Sequence, residues 1–374
     1  MSEWIPYGRQ VVDEDDVEAV VKTLRSSFLT TGPKVGEFEA AVAKNCDVRH
    51  GVAVSNGTAA LHCCMSALGV GPGDEVIVPP ITFAATANCA VFQGATPVFA
   101  DVDSDTLLID PVSVESKITS RTKVVIGVDY AGQPCDWNAL REIASTHGLW
   151  LVDDACHALG AQYGGKAIGT HADMTVFSFH PVKHIATGEG GMVVTDDEEL
   201  ANKVRSFRSH GIQSDSHQRE KTGAWFYEMV DIGYNYRLTD IQCALGLSQL
   251  GKLDRFLESR REIARRYDAA FSSSGVTPLA VKGDRTHAYH LYAVKVDDRE
   301  RVFMQMHENG IGVNVHYIPV HLHPYYRETY GTKPGMCPHA EAAYEKLLSL
   351  PVFPTLERNQ QQYVIDKLLG FVAG

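Results

Sequence analysis

Residues 148–196 read GLWLVDDACHALGAQYGGKAIGTHADMTVFSFHPVKHIATGEGGMVVTD. Three apolar runs punctuate the stretch: GLWLVDD, MTVFSF and GGMVVTD. Each is close to a continuous hydrophobic run, the pattern of a strand buried on both faces beneath layers of helices. Upstream, HGVAVS, DEVIVPP, TPVFADV and KVVIGV repeat the pattern. Between these runs lie NGTAALHCCMSALGV, ITFAATANCAVFQ, DPVSVESKI and DWNALREIASTHG, which have helix length and in several cases a polar cap. Strands alternating with helices predict a doubly wound α/β fold, a mostly parallel sheet sandwiched by helices. Its site should open at the carboxyl ends of the strands.

The flanks complete the outline. DEDDVEAVVKTLRSS predicts an amphipathic helix leading into the loop FLTTGPKV. From Thr239 to Phe271 helical periodicity continues without a proline, which predicts one long helix linking two domains. HAYHLYAVKV and GVNVHYI are expected as strands around the helix RERVFMQMHENG, and LERNQQQYVIDKLLGFV as a final helix. The expected division is a large domain with an N-terminal arm over 1–250 and a smaller α+β domain over 251–374.

Composition excludes several classes. Hydrophobic residues make up 44% and charged residues 21% of the 374, which argues against disorder, collagen and coiled coils. With 34 Lys+Arg against 46 Asp+Glu the formal charge is −12, which repels phosphate backbones, so no nucleic-acid partner is expected. No apolar run is long enough to span a bilayer, and MSEWIPYGRQVVDEDD lacks the basic start and apolar run of a secretory signal. The eight cysteines are scattered without a CxxC, which fits a reducing compartment. A cytoplasmic protein without a membrane partner is expected. Motifs for dinucleotides, P-loops, zincins and the GxSxG nucleophile elbow are missing.

What remains is a set of polar residues at predicted strand ends. HGVAVS turns into a helix through Ser55-Asn56-Gly57-Thr58-Ala59. The first amides of a helix are free, and a glycine there lets a phosphate approach them at the positive end of the dipole. Alone, such a turn is more often an ordinary cap. Asp153-Asp154 ends the run GLWLVDD, and two acids at the mouth of a buried strand are costly unless something cationic or protonated meets one of them. A protonated pyridine nitrogen would serve, as would a helix cap or a salt bridge. Lys183 sits in SFHPVKHIATGEGG, just past a predicted strand. A lone lysine is usually a solvated charge. Here Ser178, His180, Thr187, Gly188, Gly190 and Gly191 form a small, tightly turning surround, in which a lysine can lie over a cofactor, lose its proton by desolvation and form a Schiff base. A phosphate cradle, an acid for a pyridinium proton and a Schiff-base amine are together the protein-side requirements of pyridoxal 5′-phosphate (PLP). Phe83, after DEVIVPP, is placed to stack on the ring, although a single aromatic is more often core. His316, His321 and His323 have the spacing HxxxxHxH, which offers a rival metal-hydrolase assignment. No carboxylate completes that set, so no metal is expected.

At these residues the chain resembles the fold-type-I PLP aminotransferases of nucleotide-activated sugars, the DegT family. The resemblance runs nearly end to end, through FLTTGPKVGEFE, VSNGTAALH, ITFAATAN, ATPVFADVD, VDDACHALGA, FSFHPVKHIATGEGG, FRSHGI, GYNYRLTDIQCALGLSQL and SLPVFP. It implies that Lys183 is the cofactor-bonded lysine and Asp154 the partner of the pyridine nitrogen. It likewise implies that Phe83 stacks on the ring, that Gly57, Thr58 and Ser178 hold the phosphate, and that His157 lies near the phenolic oxygen. Asn235 matches a residue that reaches the neighbouring subunit's phosphate, which implies an obligate homodimer with shared sites. Relatives that remove a hydroxyl carry histidine in place of the lysine, which this chain keeps.

IPYGRQ, FSFHPVK and VHYIPVHLHPYYR are similar to the branch of the family that serves pseudaminic acid biosynthesis. That similarity implies that Tyr7, Ser27, Phe28, Leu29, Thr30, Val315, His316, Tyr317 and Ile318 surround the nucleotide-sugar. The implied reaction moves the amino group of L-glutamate to C4 of a UDP-4-keto-6-deoxy-N-acetylhexosamine. Another nucleotide-activated keto-deoxy sugar, with dTDP or GDP and reaction at C3 or C4, stays open, as does a non-catalytic sensor on the same fold. Arg237 is nearest the matched motifs, but a salt bridge is at least as good an account of it, so no arginine is assigned to glutamate's carboxylate.

Overall fold

The computed structural model describes residues 4–212 and 225–373. The apolar runs form one seven-stranded sheet. Its strands are β1 (His50–Val54), β2 (Glu75–Val78), β3 (Thr96–Phe99), β4 (Thr122–Val128), β5 (Trp150–Asp154), β8 (Met174–Ser178) and β9 (Gly191–Thr195). Two short strands, β6 (Gln162–Tyr163) and β7 (Lys166–Ala167), lie between β5 and β8 in sequence and form a separate small sheet with β11 (Arg285–Thr286). The order across the large sheet is β1-β9-β8-β5-β4-β2-β3. Neighbours are parallel except β9, which runs antiparallel to both β1 and β8. β5 is therefore central, with Asp154 beside Val128 of β4 and Val176 of β8 at the carboxyl edge.

Helices follow the strands on polar caps. Asn56 Oδ1 accepts from the amide of Ala59 at 2.8 Å to open the helix Gly57–Ala67, and Asp136 and Asp197 cap later helices in the same way. Two hydrophobic clusters result. The larger surrounds the sheet. The smaller gathers Ile5, Tyr267, Phe271, Tyr292, Leu348, Leu350 and Leu368 around a second sheet, β10 (Thr277–Pro278), β12 (Tyr292–Lys295) and β13 (Leu347–Leu350).

Two elements differ from expectation. The long helix is two helices, Asp240–Leu250 and Leu253–Phe271, parted at Gly251 and Lys252. Periodicity runs unbroken across the joint, and the break is held from far away in sequence. Lys252 Nζ pairs with Asp16 of the N-terminal helix Glu14–Leu24 at 2.9 Å and with that helix's N-cap, Asp13. Asp16, fully buried, also accepts from Ser248 Oγ at 2.6 Å and Gln249 Nε2 at 2.7 Å. GVNVHYI forms no named strand. It touches β13 at one bridge, Asn314 to Ser349, and then leaves the sheet, with His316 Nδ1 bonded to Ser349 Oγ at 2.9 Å and the His316 carbonyl to Tyr130 Oη. Side-chain partners replace the ladder there.

Lys252→Met would leave Asp16 buried without its cation. A loss of about 3–5 kcal/mol is expected, since removing one partner exposes the full desolvation cost of the other. Thermal denaturation checks this, and an unchanged midpoint would show that the pair does not hold the joint.

Candidate active site

Asp154 ends the central strand and is almost entirely buried. Its Oδ2 accepts from Thr86 Oγ1 at 2.7 Å, and Thr86 Oγ1 in turn lies 2.7 Å from Thr82 Oγ1. A carboxylate only accepts, so Thr86 donates to it and Thr82 donates to Thr86, a relay that fixes both hydroxyl hydrogens. Oδ1 accepts from the Cys156 amide at 3.3 Å. Two further acids lie close. Burial, opposed by hydrogen bonds from Cys135, pushes Asp129 at the end of β4 upward, and burial with the charges of Asp129 and Asp154 raises Asp153 well above the usual carboxylate range.

Lys183 lies in the loop between β8 and β9 and is partly buried. The loop closes on itself through Phe179 N to Gly190 O at 2.8 Å and Thr187 N to Phe179 O at 2.9 Å. Desolvation lowers the Lys183 pKa, while the charges of Cys156 and Asp154 oppose that shift. Around it stand His157, His184 and His290, all buried, whose pKa values desolvation drives well below the ordinary imidazole value. His290 Nε2 is 3.4 Å from Lys183 Nζ. His157 Nε2 is 3.2 Å from the Tyr317 hydroxyl.

Gly57 brings the helix N-terminus against the same strand ends. A Cβ on it would lie 3.0 Å from Ser178 Cβ and 3.2 Å from Cys156 Sγ, so only glycine leaves this cradle open. Thr58 and Ser178 flank it, each half-buried. The ring of Phe83 is 62% exposed and stands 6.1 Å from Tyr317, free to cover a planar ligand. The cradle, the buried acid and the desolvated amine fit the phosphate, ring nitrogen and aldehyde of PLP.

Of the expected sugar contacts, Val315, His316, Tyr317 and Ile318 share the segment that reaches His157, and the Tyr7 ring packs 5.2 Å from His316. Burial pushes His316 down to about 4. Ser27, Phe28, Leu29 and Thr30 sit elsewhere: Leu29 O accepts from Asp240 N at 3.0 Å, and Thr30 bridges Thr239. Asn235 is exposed, bridging Ser209, and its neighbour Tyr236 accepts from the Ser55 amide at 2.8 Å. His321 bonds Glu341 at 2.9 Å, apart from His316 and its partner Ser349. Among the described residues no group of three or more His, Cys, Asp or Glu could hold a metal ion.

Sequence reasoning missed Thr86 and His290. Thr86 stands within the quoted ITFAATAN and His290 within HAYHLYAVKV, yet only the tertiary fold brings either to Asp154 or Lys183.

This sheet, with its acid, amine and glycine cradle converging at the carboxyl edge, defines a fold-type-I aminotransferase. The chain belongs to the DegT/DnrJ/EryC1/StrS aminotransferase family, whose profile matches residues 10–369. It is 43% identical over 380 residues to the spore coat polysaccharide biosynthesis protein SpsC of Bacillus subtilis strain 168, covering 99% of this chain and 98% of that one. Spr1654 of Streptococcus pneumoniae, described as a sugar aminotransferase, has solved PMP and PLP forms. They match with TM-scores of 0.94 and 0.93, each at 34% identity and over 99% of both chains. Helicobacter pylori PseC, an aminotransferase involved in pseudaminic acid biosynthesis, matches with a TM-score of 0.93 at 33% identity, over 99% of this chain and 100% of that one. The chain is an enzyme, and the cofactor of its family is PLP. The sensor alternative is thereby set aside.

Thr86→Val keeps the side chain's shape and removes its hydroxyl. Turnover is expected to fall about tenfold, the equivalent of about 1.4 kcal/mol for a hydrogen bond to a charged group. Thr86→Ser should stay near wild type. Steady-state amino-transfer kinetics reads the difference, and equal rates for all three would detach Thr86 from the site.

Proposed function

We propose that this enzyme moves the amino group of L-glutamate to C4 of a UDP-4-keto-6-deoxy-N-acetylhexosamine, giving UDP-4-amino-4,6-dideoxy-N-acetyl-β-L-altrosamine of the pseudaminic acid pathway. The observation that carries amino transfer is Lys183, a desolvated amine within the field of the buried, doubly hydrogen-bonded Asp154. The sugar assignment is supported by the likeness to PseC and by the segment Val315–Ile318 arriving beside His157 with Tyr7 behind it.

When bound, PLP supplies an aldehyde that carries the amino group and a ring that withdraws electrons. The amides at Gly57 and Thr58, with the Ser178 hydroxyl, bind its phosphate. Asp154 holds a proton on the ring nitrogen, its own carboxylate aimed by Thr86 and the Cys156 amide. Phe83 would cover the ring face, and His157 would meet the phenolic oxygen. Lys183 Nζ, whose pKa desolvation lowers, takes the proton from the α-carbon of glutamate and returns one to the product side. Tyr7, His316 and Tyr317 orient the sugar.

The enzyme works as a homodimer in the cytoplasm. Trp225, Phe226, Met229, Val230, Ile232 and Tyr234 form an exposed apolar stretch beside Asn235, with Trp225 85% and Ile232 73% exposed. A second copy covering it would bring Asn235 and the loop Ser27 to Thr30 to the partner's site. All eight cysteines are free thiols, and among the described residues no helix is long and apolar enough to cross a membrane.

A second substrate assignment has its own support: SpsC, of spore coat polysaccharide biosynthesis, is 43% identical to this chain, whereas PseC is 33% identical. Another UDP-, dTDP- or GDP-activated keto-deoxy sugar is then the acceptor. Offering a panel of these 4-keto-6-deoxy sugars with glutamate, and identifying products by mass and NMR, decides between them. Amination confined to a dTDP or GDP sugar would overturn the altrosamine product.

Lys183→Ala should abolish transfer and leave a folded dimer, and borohydride should fix the cofactor to wild type but not to the variant. Full turnover in Lys183→Ala would remove the lysine from its role. Mixing inactive Lys183→Ala with inactive Asn235→Ala subunits should restore about a quarter of wild-type activity, because half the dimers are mixed and each carries one intact site of two. No recovery on mixing would place Asn235 outside the partner's site.

A further inference from the structure

We propose that His290 is a positioning residue for Lys183: its neutral imidazole accepts a hydrogen bond from the lysine amine and so aims the amine's lone pair at the carbon-bound proton it moves. The inference rests on the aminotransferase role given to Lys183 above. His290 Nε2 stands 3.4 Å from Lys183 Nζ, and His290 is buried.

Backbone contacts deliver the ring. The amides of Ala288 and Leu291 donate to Gly132 O at 2.8 Å and Ala131 O at 3.1 Å, pinning both flanks of Tyr289 and His290. Gly132, at φ +106°, allows that approach, since a Cβ there would lie 2.8 Å from Tyr289 N and 3.1 Å from His290 N. Arg260 Nη1 donates to the carbonyls of Tyr289 at 3.1 Å, His290 at 3.4 Å and Val352 at 2.9 Å. Arg260 is only 1% exposed, and among the described residues no carboxylate pairs with it. The ring of His157 packs on that of His290 at 4.3 Å between centroids.

The titratable and charged groups facing His290 are Lys183 and His184 from the β8–β9 loop, His157 after β5, and Arg260 from the helix Leu253–Phe271. All are potential cations, and together with burial they keep the imidazole uncharged. The proton balance follows. A neutral amine has two hydrogens and one lone pair. In the tautomer that carries its proton on Nδ1, an atom with no hydrogen-bond partner among the described residues, His290 accepts one of those hydrogens at Nε2 and leaves the lone pair free. After Lys183 takes the carbon-bound proton, the ammonium keeps one hydrogen on Nε2, and releasing the proton restores the amine. Nothing is oxidised or reduced, and no proton stays on His290.

The test has two readouts. Full-length protein freed of cofactor is treated with PLP and borohydride across a pH series, and label on Lys183 is quantified by peptide mass spectrometry. His290→Phe should move the midpoint of labelling down by about one pH unit, the loss of a hydrogen bond to a charged group, because the ammonium loses its acceptor. His290→Gln should return it toward wild type. In the holoenzyme, His290→Phe should lower kcat about tenfold, or about 1.4 kcal/mol, with KM for glutamate unchanged and a larger isotope effect from α-deuterated glutamate. Should the phenylalanine variant fail to fold, His290→Asn, polar but too short to reach Nζ, makes the same comparison. A midpoint and isotope effect equal to wild type would overturn the proposal. Wild-type protein with no label on Lys183 would instead overturn the role of the lysine itself.

Discussion

A carboxylate at the end of a strand buried on both faces must be met by donors or by positive charge, because taking it out of water costs several kcal/mol. Asp154 is that carboxylate, and the carboxyl edge of the sheet is organised around it. The helix Ala85–Phe92 turns in so that Thr86 faces it, the chain after β5 folds back so that the Cys156 amide faces it, and the β8–β9 loop places Lys183 in its field. These elements come from separate βα units, and parallel order around the central strand is what brings their ends to one edge.

The sheet was legible in the sequence because each strand is a local run whose burial on both faces shows in composition alone. Asp154 stood out for a related reason, because a charge ending such a run has to be explained where it stands, whereas Lys183 and Gly57 stood out by the small, turning residues around them. Thr86 and His290 carry no comparable signal, since a threonine and a histidine near helix or strand termini satisfy local rules without reference to a site. The joint at Gly251 and Lys252 was hidden in the same way. Two residues between the helices leave the apolar stripe intact, and the ion pair with Asp13 and Asp16 is set by contacts more than two hundred residues apart in sequence.

Positive charge is handled unevenly across the molecule. Surface arginines pair with carboxylates, as Arg266 does with Glu262, whereas Arg260 gives its hydrogens to three carbonyls in the interior. An unpaired buried cation is expensive, and it also disfavours any second cation nearby. Its field therefore works with desolvation on Lys183, His184 and His290, all of which lose basicity. Groups of lowered basicity give up a proton more readily, and so accept and return one with a smaller cost at each step.

The residues proposed for the cofactor and those proposed for the acceptor stand on different parts of the chain. The phosphate cradle, the acid and the amine stand on strand ends and helix starts, whose geometry follows from the sheet. The segment Val315–Ile318 leaves β13 after a single bridge and is held by side chains, His316 to Ser349 and Tyr317 to His157. A loop held by side chains changes shape when one of them changes, at little cost to the core. If that segment meets the acceptor as proposed, it can change while the strand ends around Lys183 stay fixed, and relatives of similar fold need not share an acceptor.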